Sequence, residues 1–194
     1  HVRKWLIEWA DQNDYDLQLD GLIVNTTLDA GLQKAALRAV ERQANALQNI
    51  ADVEWAQSEG GLMSTSTAVY ASVRRQSEPF RYFWNTHGDL LDGFIRDSAE
   101  YKQALEAGGS AAEVLKKLKG DRNFIAQLRA GKTRLEAGFV AIDPNNGAVR
   151  AWAGSRDFQR DQFDHVAQAA RQPGSTFKPI VYGAALEKGL DPDR

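Results

Sequence analysis

The sequence predicts an α+β fold in which a mostly helical chain leads to a short β-hairpin and then to an apolar helix. Apolar residues recur at helical spacing between residues 32 and 47. Further on, Asp143-Pro-Asn-Asn-Gly147 supplies Pro and Asn-Gly turn formers between two β-rich segments. Pro173-Gly174 then interrupts the chain before an apolar run that extends to Gly189. Helices and strands that are segregated in this way are typical of α+β proteins.

Composition excludes several classes of function. The chain has 194 residues, 43% of them hydrophobic and 26% charged, which suits one sizeable domain with or without a smaller appendage. A formal net charge of −2 argues against nucleic acid as a partner, because nucleic-acid-binding faces need clustered Lys and Arg. The sequence has no cysteine, which excludes disulfides and thiolate metal sites. His1, His87 and His165 are too scattered to indicate a metal site, so we expect neither a metal nor another cofactor.

The first part of the chain predicts a short helix, a strand and a long helix. Residues 3–13 place Trp5 and Trp9 on one side of a helix, where they suit docking or core packing. Residues 22–28 are β-branched and apolar, so we expect a strand near 21–28. Asp29 is placed to cap a helix that runs to about residue 57, before a break at Gly60-Gly61.

The middle of the chain predicts short helices and a packed aromatic segment. Ser64-Thr-Ser-Thr67 has no acidic or basic partner at a useful spacing, so a turn is favoured over a catalytic site. The aromatic residues of 79–84 are expected to fill the core rather than to stack on sugars. Residues 89–130 predict two or three short helices broken at Gly108-Gly109 and Gly120. Four basic residues there indicate a solvated helix face: Lys116, Lys117, Lys119 and Arg122.

A hairpin is predicted from residues 136–142 and 148–153. We expect Phe139 and Trp152 to pack against the helix that follows Pro173-Gly174. Asp164 and His165 could suggest an acid/base pair, but adjacent residues rarely face one another, so we expect no such pair.

Ser175 and Lys178 are the candidate catalytic residues. Residues three apart on a helix share one face, so the Lys178 amine could approach the Ser175 hydroxyl and accept its proton. A lysine acts as a base only if desolvation or another cation lowers the pKa of its amine. The apolar residues after Phe177 predict a helix that runs through a domain interior, with Gly189 as its end. Helix N-terminal N–H groups near Ser175 would stabilise an acyl oxyanion.

Three segments give the chain a resemblance to a known family. They are Val24–Ala36, Gly138–Phe158 and Arg171-Gln-Pro-Gly-Ser-Thr-Phe-Lys-Pro179. In this order they resemble class A penicillin-binding proteins, the bifunctional glycosyltransferase/transpeptidase enzymes of the bacterial cell wall. The resemblance implies the start of a transpeptidase domain of the serine β-lactamase-like fold at residues 136–194. Residues 1–135 would form a mostly helical linker or insert region ahead of it.

The resemblance also implies an activity for the parent protein. Ser175 would attack a D-Ala-D-Ala stem peptide, and an amine would resolve the acyl-enzyme to form a peptidoglycan cross-link. β-Lactams would acylate Ser175, and Lys178 would be the general base. Serine transferases of this type also need Ser-x-Asn and Lys-Thr-Gly after the serine, and neither follows Ser175. We therefore expect a chain truncated at both ends and inactive by itself.

Alternatives and location complete the sequence-based expectations. The chain could instead be a non-catalytic scaffold or interaction piece, or a β-lactam sensor that does not turn over. An apolar serine helix without the rest of its sheet predicts self-association. The chain has no run of 18 apolar residues and no signal peptide, so it is expected to be soluble. The resemblance places the membrane-anchored parent at the periplasmic face of the inner membrane.

Overall fold

The computed structural model describes residues 2–58 and 63–191. The helices that precede the hairpin are α1 (Val2–Gln12), α2 (Ala30–Glu54), α3 (Thr67–Arg74), α4 (Arg81–Thr86), α5 (Gly88–Asp97), α6 (Ala99–Glu106), α7 (Ala111–Gly120) and α8 (Arg122–Lys132). They are followed by strands β1 (Phe139–Ile142) and β2 (Val149–Ala153), a short 3-10 helix (Gly174–Phe177) and α9 (Lys178–Glu187). The described residues thus form a helical region followed by a two-stranded sheet and the serine helix, which confirms the predicted α+β class.

Helix α2 begins where the sequence predicted. The Asp29 carboxylate accepts a hydrogen bond from the Leu32 backbone N–H at 2.8 Å, which satisfies one of the free donors of the first turn. The helix ends at Glu54, earlier than expected, and the Trp55 N–H bonds back to the Ala51 carbonyl oxygen. The predicted break at Gly60-Gly61 lies outside the described residues.

The predicted strand near 21–28 is wrong. This segment has no regular secondary structure, and the backbone hydrogen bond to the hairpin comes from the residue after it, from Asp29 N–H to the Arg150 carbonyl oxygen at 2.9 Å. A second contact, at 2.7 Å, comes from the Thr27 hydroxyl to the Val149 carbonyl oxygen. A strand needs a repeating backbone ladder with a neighbour, and β-branched residues such as Ile23, which is 87% exposed, cannot replace it.

The helical core is built around the aromatic segment, as predicted. Phe80 and Trp84 are buried and pack with Leu91, Ile95, Tyr101 and Val114. The sequence predicted two or three helices between residues 89 and 130, whereas the structure has four, α5 to α8. The additional boundary lies at Ser98, whose hydroxyl accepts a hydrogen bond from Tyr101 N–H and so caps α6 directly after α5.

The hairpin forms as predicted, with shorter strands. β1 and β2 are antiparallel, with Val140 opposite Trp152. The turn is closed by a hydrogen bond from Asp143 N–H to the Ala148 carbonyl oxygen at 2.9 Å. Gly147 has φ +72°, a left-handed conformation that glycine adopts without steric cost.

The two hairpin aromatics do not pack on the serine helix, which corrects that expectation. Trp152 and Phe139 both lie against α2, where Trp152 lines a cleft with Gln33 and Leu37 and Phe139 lines another with Val40. Helix α2 is long enough to pack on β2 with its first half and on α3 with its second. Its first half therefore covers the hairpin, where the two aromatic side chains lie.

Gln48 of α2 is hydrogen-bonded to the connection between α8 and β1. Gln48 Nε2 donates to the Thr133 carbonyl oxygen at 3.0 Å, and Gln48 Oε1 accepts from Leu135 N–H at 2.8 Å. Gln48 Nε2 also donates to the buried Asp52 carboxylate at 2.9 Å. The entry to β1 is therefore fixed to α2 before the sheet begins.

No helix among the described residues is both long enough and apolar enough to cross a membrane.

Candidate functional site

Ser175 and Lys178 lie on either side of a change in helical geometry. Ser175 is in the 3-10 helix, and Lys178 is the first residue of α9. The Lys178 backbone N–H donates to the Ser175 carbonyl oxygen, which closes one turn. A 3-10 helix has three residues per turn, so these two residues are aligned along its axis more closely than in an α-helix. Gly174 has φ +52°, which permits the sharp entry to this turn.

The side chains of the two candidates are exposed and are not joined. Among residues 2–58 and 63–191, Ser175 Oγ and Lys178 Nζ make no hydrogen bond with each other or with another group. The neighbouring Thr176 instead directs its hydroxyl to the Pro173 carbonyl oxygen. The backbone thus places the two candidate residues one turn apart, while no hydrogen bond joins their side chains among the described residues.

Helix α9 is exposed along its length, which contradicts the prediction of a helix in a domain interior. Its apolar side chains are about half to two-thirds exposed, including Ile180 at 62% and Tyr182 at 60%. Within the described part of the chain, α9 packs mainly against the 3-10 helix before it. An apolar helix is buried only where other elements supply a covering surface, and the two described strands lie against α2 instead.

The end of α9 was predicted correctly. Gly189 has φ +80°, its N–H donates to the Leu186 carbonyl oxygen, and Leu190 N–H donates to the Ala185 carbonyl oxygen. These two bonds form a Schellman motif, the usual way in which glycine ends a helix.

The segment before the serine is held by carboxylates. Asp164 Oδ2 accepts from Trp152 Nε1 at 2.9 Å, and Asp164 Oδ1 accepts from Val166 N–H at 3.0 Å. His165 Nε2 lies 2.8 Å from Asp161 Oδ2. Asp164 and His165 therefore do not form an acid/base pair, as expected, because each has a different partner. The hydrogen bond from His165, with a second from Phe163 N–H, lowers the pKa of the Asp161 carboxyl.

Sequence reasoning missed one cluster of possible metal ligands. Glu136, Asp161 and His165 each offer one ligand atom, and these atoms lie within 4.8 Å of one another. Arg134 Nε, however, donates to the Glu136 carboxylate at 2.7 Å, and the backbone N–H of Arg156 donates to its other oxygen at 3.4 Å. The positive Arg134 guanidinium on the Glu136 carboxylate opposes a cation there. The i, i+4 spacing of Asp161 and His165 was the only sequence signal for this cluster. Glu136 is distant in the sequence and lies near them only in the folded chain.

Two comparisons with known proteins give matches that cover less than a third of the chain. Residues 137–194 match the Transpeptidase family, described as the penicillin binding protein transpeptidase domain. Penicillin-binding protein 1A of Neisseria cinerea is 55% identical over 56 residues, which are 29% of this chain and 7% of that protein. Penicillin-binding protein 2D of Bacillus subtilis is 48% identical over 58 residues, which are 30% of this chain and 8% of that protein.

The comparisons confirm the resemblance that the sequence motifs indicated. The matched region contains the hairpin, Ser175 and Lys178. The chain matches about 7% of the length of the curated relatives named first. No solved structure gives a significant match.

Proposed function

Because residues 137–194 belong to the penicillin-binding protein transpeptidase family, we propose that the protein containing this chain cross-links peptidoglycan. Its substrates are stem peptides that end in D-Ala-D-Ala, and β-lactams are its covalent inhibitors. The reaction takes place at the periplasmic face of the bacterial inner membrane, where the parent is anchored and also carries a glycosyltransferase activity. The division into residues 1–135 and 136–194 stays a prediction.

Ser175 is the proposed nucleophile and Lys178 the proposed general base. Ser175 Oγ attacks the carbonyl carbon between the two D-alanines, and its proton passes through Lys178 Nζ to the departing D-alanine amine. An amine of a neighbouring stem peptide then attacks the acyl-serine ester, and the proton it loses returns to Ser175 Oγ. Both steps need Lys178 in its neutral form at the start.

The observation that carries this proposal is the placement of Ser175 in a 3-10 turn directly before α9. Three residues per turn bring residues i and i+3 to the same side, which is the relationship that a serine and its lysine base require. The exposed hydroxyl is also accessible to a peptide substrate. Both side chains are without partners among the described residues, so no existing contact has to break when they rotate towards each other.

The experiment is labelling with a fluorescent penicillin, followed by denaturing electrophoresis and intact mass. We expect covalent label on the protein that contains this chain and none on its Ser175→Ala variant. Ser110→Ala is the matched control, because Ser110 is an exposed serine at a helix start whose side chain makes no capping bond. Label that persists in Ser175→Ala, or that is lost in Ser110→Ala, would contradict the assignment of Ser175.

A second candidate function follows from the exposure of α9. Lys178 is exposed, so the described residues do not desolvate its amine, and the chain by itself would then be a non-catalytic scaffold. A folded sample that takes no label supports this candidate. A sample that is labelled by penicillin but does not turn over a peptide ending in D-Ala-D-Ala supports the β-lactam sensor instead.

Self-association through α9 is part of the scaffold candidate. The apolar side chains of α9 include Ile180, Tyr182 and Leu186, each more than half exposed. We expect light scattering after size exclusion to show dimers or larger species at high concentration, and Ile180→Lys to shift them towards monomer. Lys117→Glu, on the exposed face of α7, is the control. A monomer at all concentrations would exclude this association.

A further inference from the structure

An open cup lined by aromatic rings lies between the end of α2, helices α4 and α5, and the connection from α8 to β1. Its volume is about 300 Å³, and its aromatic lining comprises Trp55, Phe80, Phe83, Trp84 and Phe94. We call this feature the aromatic cup. None of its lining residues belongs to the serine segment, so it is separate from the proposed active site.

The cup has a buried floor and an exposed wall. Phe80 and Trp84 are buried core residues, whereas Trp55 is 53% exposed. The Phe83 ring meets Trp55 edge to face at 5.7 Å between centroids, and it meets Trp84 in the same way at 4.9 Å. Rings that are held by such contacts form a preformed apolar surface, and little conformational entropy is lost when a ligand covers it.

The rim of the cup carries an unpaired positive charge. Lys132 Nζ lies 4.7 Å from the centre of the Phe94 ring, and no carboxylate of the described residues is within ion-pair distance of it. Arg134, the other rim cation, is compensated by Glu136, with 2.7 Å between Nε and Oε1. Lys132 is exposed, so its attraction for an anion is that of a surface charge and is weakened by salt.

We propose that the aromatic cup binds an acidic peptide segment of a partner protein, which inserts one large apolar side chain and pairs a carboxylate with Lys132. The volume accommodates one aromatic or aliphatic side chain, and the open mouth leaves room for the peptide backbone. Tryptophan, here the exposed Trp55, is also one of the residue types that dominate the binding energy of protein interfaces. A neutral glycan could stack on Trp55, but it has no negative charge that could pair with Lys132.

The position of the cup gives the bound peptide a route to the hairpin. Thr133 and Leu135 line the cup, and both are bonded through their backbones to Gln48 of α2. The peptide therefore contacts the connection that leads from α8 into β1. Binding should restrain this connection. Hydrogen exchange at Leu135 N–H should then become slower.

The test uses three acetylated, amidated pentapeptides and isothermal titration calorimetry. Their sequences are Gly-Glu-Phe-Glu-Gly, Gly-Lys-Phe-Lys-Gly and Gly-Glu-Ala-Glu-Gly, and the neutral oligosaccharide chitotriose is a fourth ligand. We expect the first peptide to bind with a Kd below about 1 mM at low salt, and each of the others at least about tenfold more weakly. Raising the salt concentration should weaken the binding of the first peptide.

Variants assign the binding to the cup. Lys132→Glu should reduce the affinity for the acidic peptide at least about tenfold, whereas Lys117→Glu, an exposed charge reversal on α7, should change it less than about twofold. Trp55→Ala should abolish binding, with circular dichroism as the check on its folding. Equal binding of the acidic and basic peptides, no binding of the acidic peptide, an unaffected Lys132→Glu, or preferential binding of chitotriose would each overturn the proposal.

Discussion

The side-chain amide of Gln33 forms two hydrogen bonds with the backbone of Trp152. Gln33 Nε2 donates to the Trp152 carbonyl oxygen at 2.9 Å, and Gln33 Oε1 accepts from Trp152 N–H at 2.8 Å. The amide thus satisfies the outer edge of β2 as a third strand would. It is the contact that fixes the first half of α2 on the hairpin.

Replacing Gln33 by Ala should lower the free energy of unfolding by about 1–3 kcal/mol, because two half-buried backbone groups of Trp152 lose their partner. Urea unfolding followed by circular dichroism measures the change. Gln43→Ala is the matched control, since Gln43 lies on the same helix, is exposed and makes no hydrogen bond with the described residues. A loss no larger than that of the control would show that the Gln33 bonds do not stabilise the docking of α2.

Gly138 should not accept a side chain. A Cβ atom there would lie 2.8 Å from both the backbone nitrogen and Cγ2 of Val166, closer than real Cβ contacts allow. We expect Gly138→Ala to lower the thermal midpoint, at a cost of about 1–3 kcal/mol. Gly93→Ala on α5 meets nothing within 4 Å and should instead stabilise by about 0.5–1 kcal/mol. If the two variants behaved alike, the close approach of Val166 would be disproved.

Acid should destabilise the protein partly through Asp161. Hydrogen bonds from His165 and Phe163 N–H lower the pKa of this carboxyl below its usual 3.8. A lowered folded-state pKa contributes stability that is present above the unfolded pKa and is lost as pH falls through the folded one. Asp161→Asn should therefore flatten the dependence of stability on pH below about pH 4. Asp11→Asn, at an exposed residue of α1, should leave the slope unchanged, and an equally steep slope in Asp161→Asn would contradict this assignment.

Tyr70 should ionise only at strongly alkaline pH. Its side chain is fully buried, and its hydroxyl bonds to the Glu54 carboxylate and accepts from Met63 N–H at 2.8 Å. Burial and then the bond to Glu54 raise the pKa of Tyr70 above 10.0, so the stability this group contributes is lost as pH rises through the raised value. Absorbance titration should show one late-ionising tyrosine that disappears in Tyr70→Phe. Tyr82→Phe, at an exposed tyrosine, is the control and should leave the late-ionising group in place.

Local chemistry explains which elements could be predicted from the sequence. Asp29, the turn at Asp143 to Gly147, and Gly189 each act on backbone groups within a few residues, so their effect can be inferred without the fold. The core aromatics Phe80 and Trp84 also lie as expected, because a cluster of large apolar side chains has few alternatives to burial.

Features that depend on distant partners could not be predicted in the same way. The segment around Ile23 has strand propensity but finds no ladder, since Gln33 and Asp29 already occupy the adjacent backbone of β2. The apolar composition of α9 indicates burial, yet the covering surface is not provided by the described residues. Ser175 and Lys178 were selected as candidate catalytic residues from their spacing and flanking residues, and their catalytic roles stay predictions.

The two glutamines of α2 have a mechanical consequence. Gln33 and Gln48 are 15 residues apart, about 22 Å along a helix, and each is bonded through its amide to the backbone of another segment. A helix that is hydrogen-bonded at two such points cannot rotate about its own axis or slide along it without breaking both sets of hydrogen bonds. The hairpin and the connection entering β1 are therefore both attached to α2 by side-chain amides. Bending between the helical region and the sheet requires the loss of the hydrogen bonds of Gln33, of Gln48 or of both.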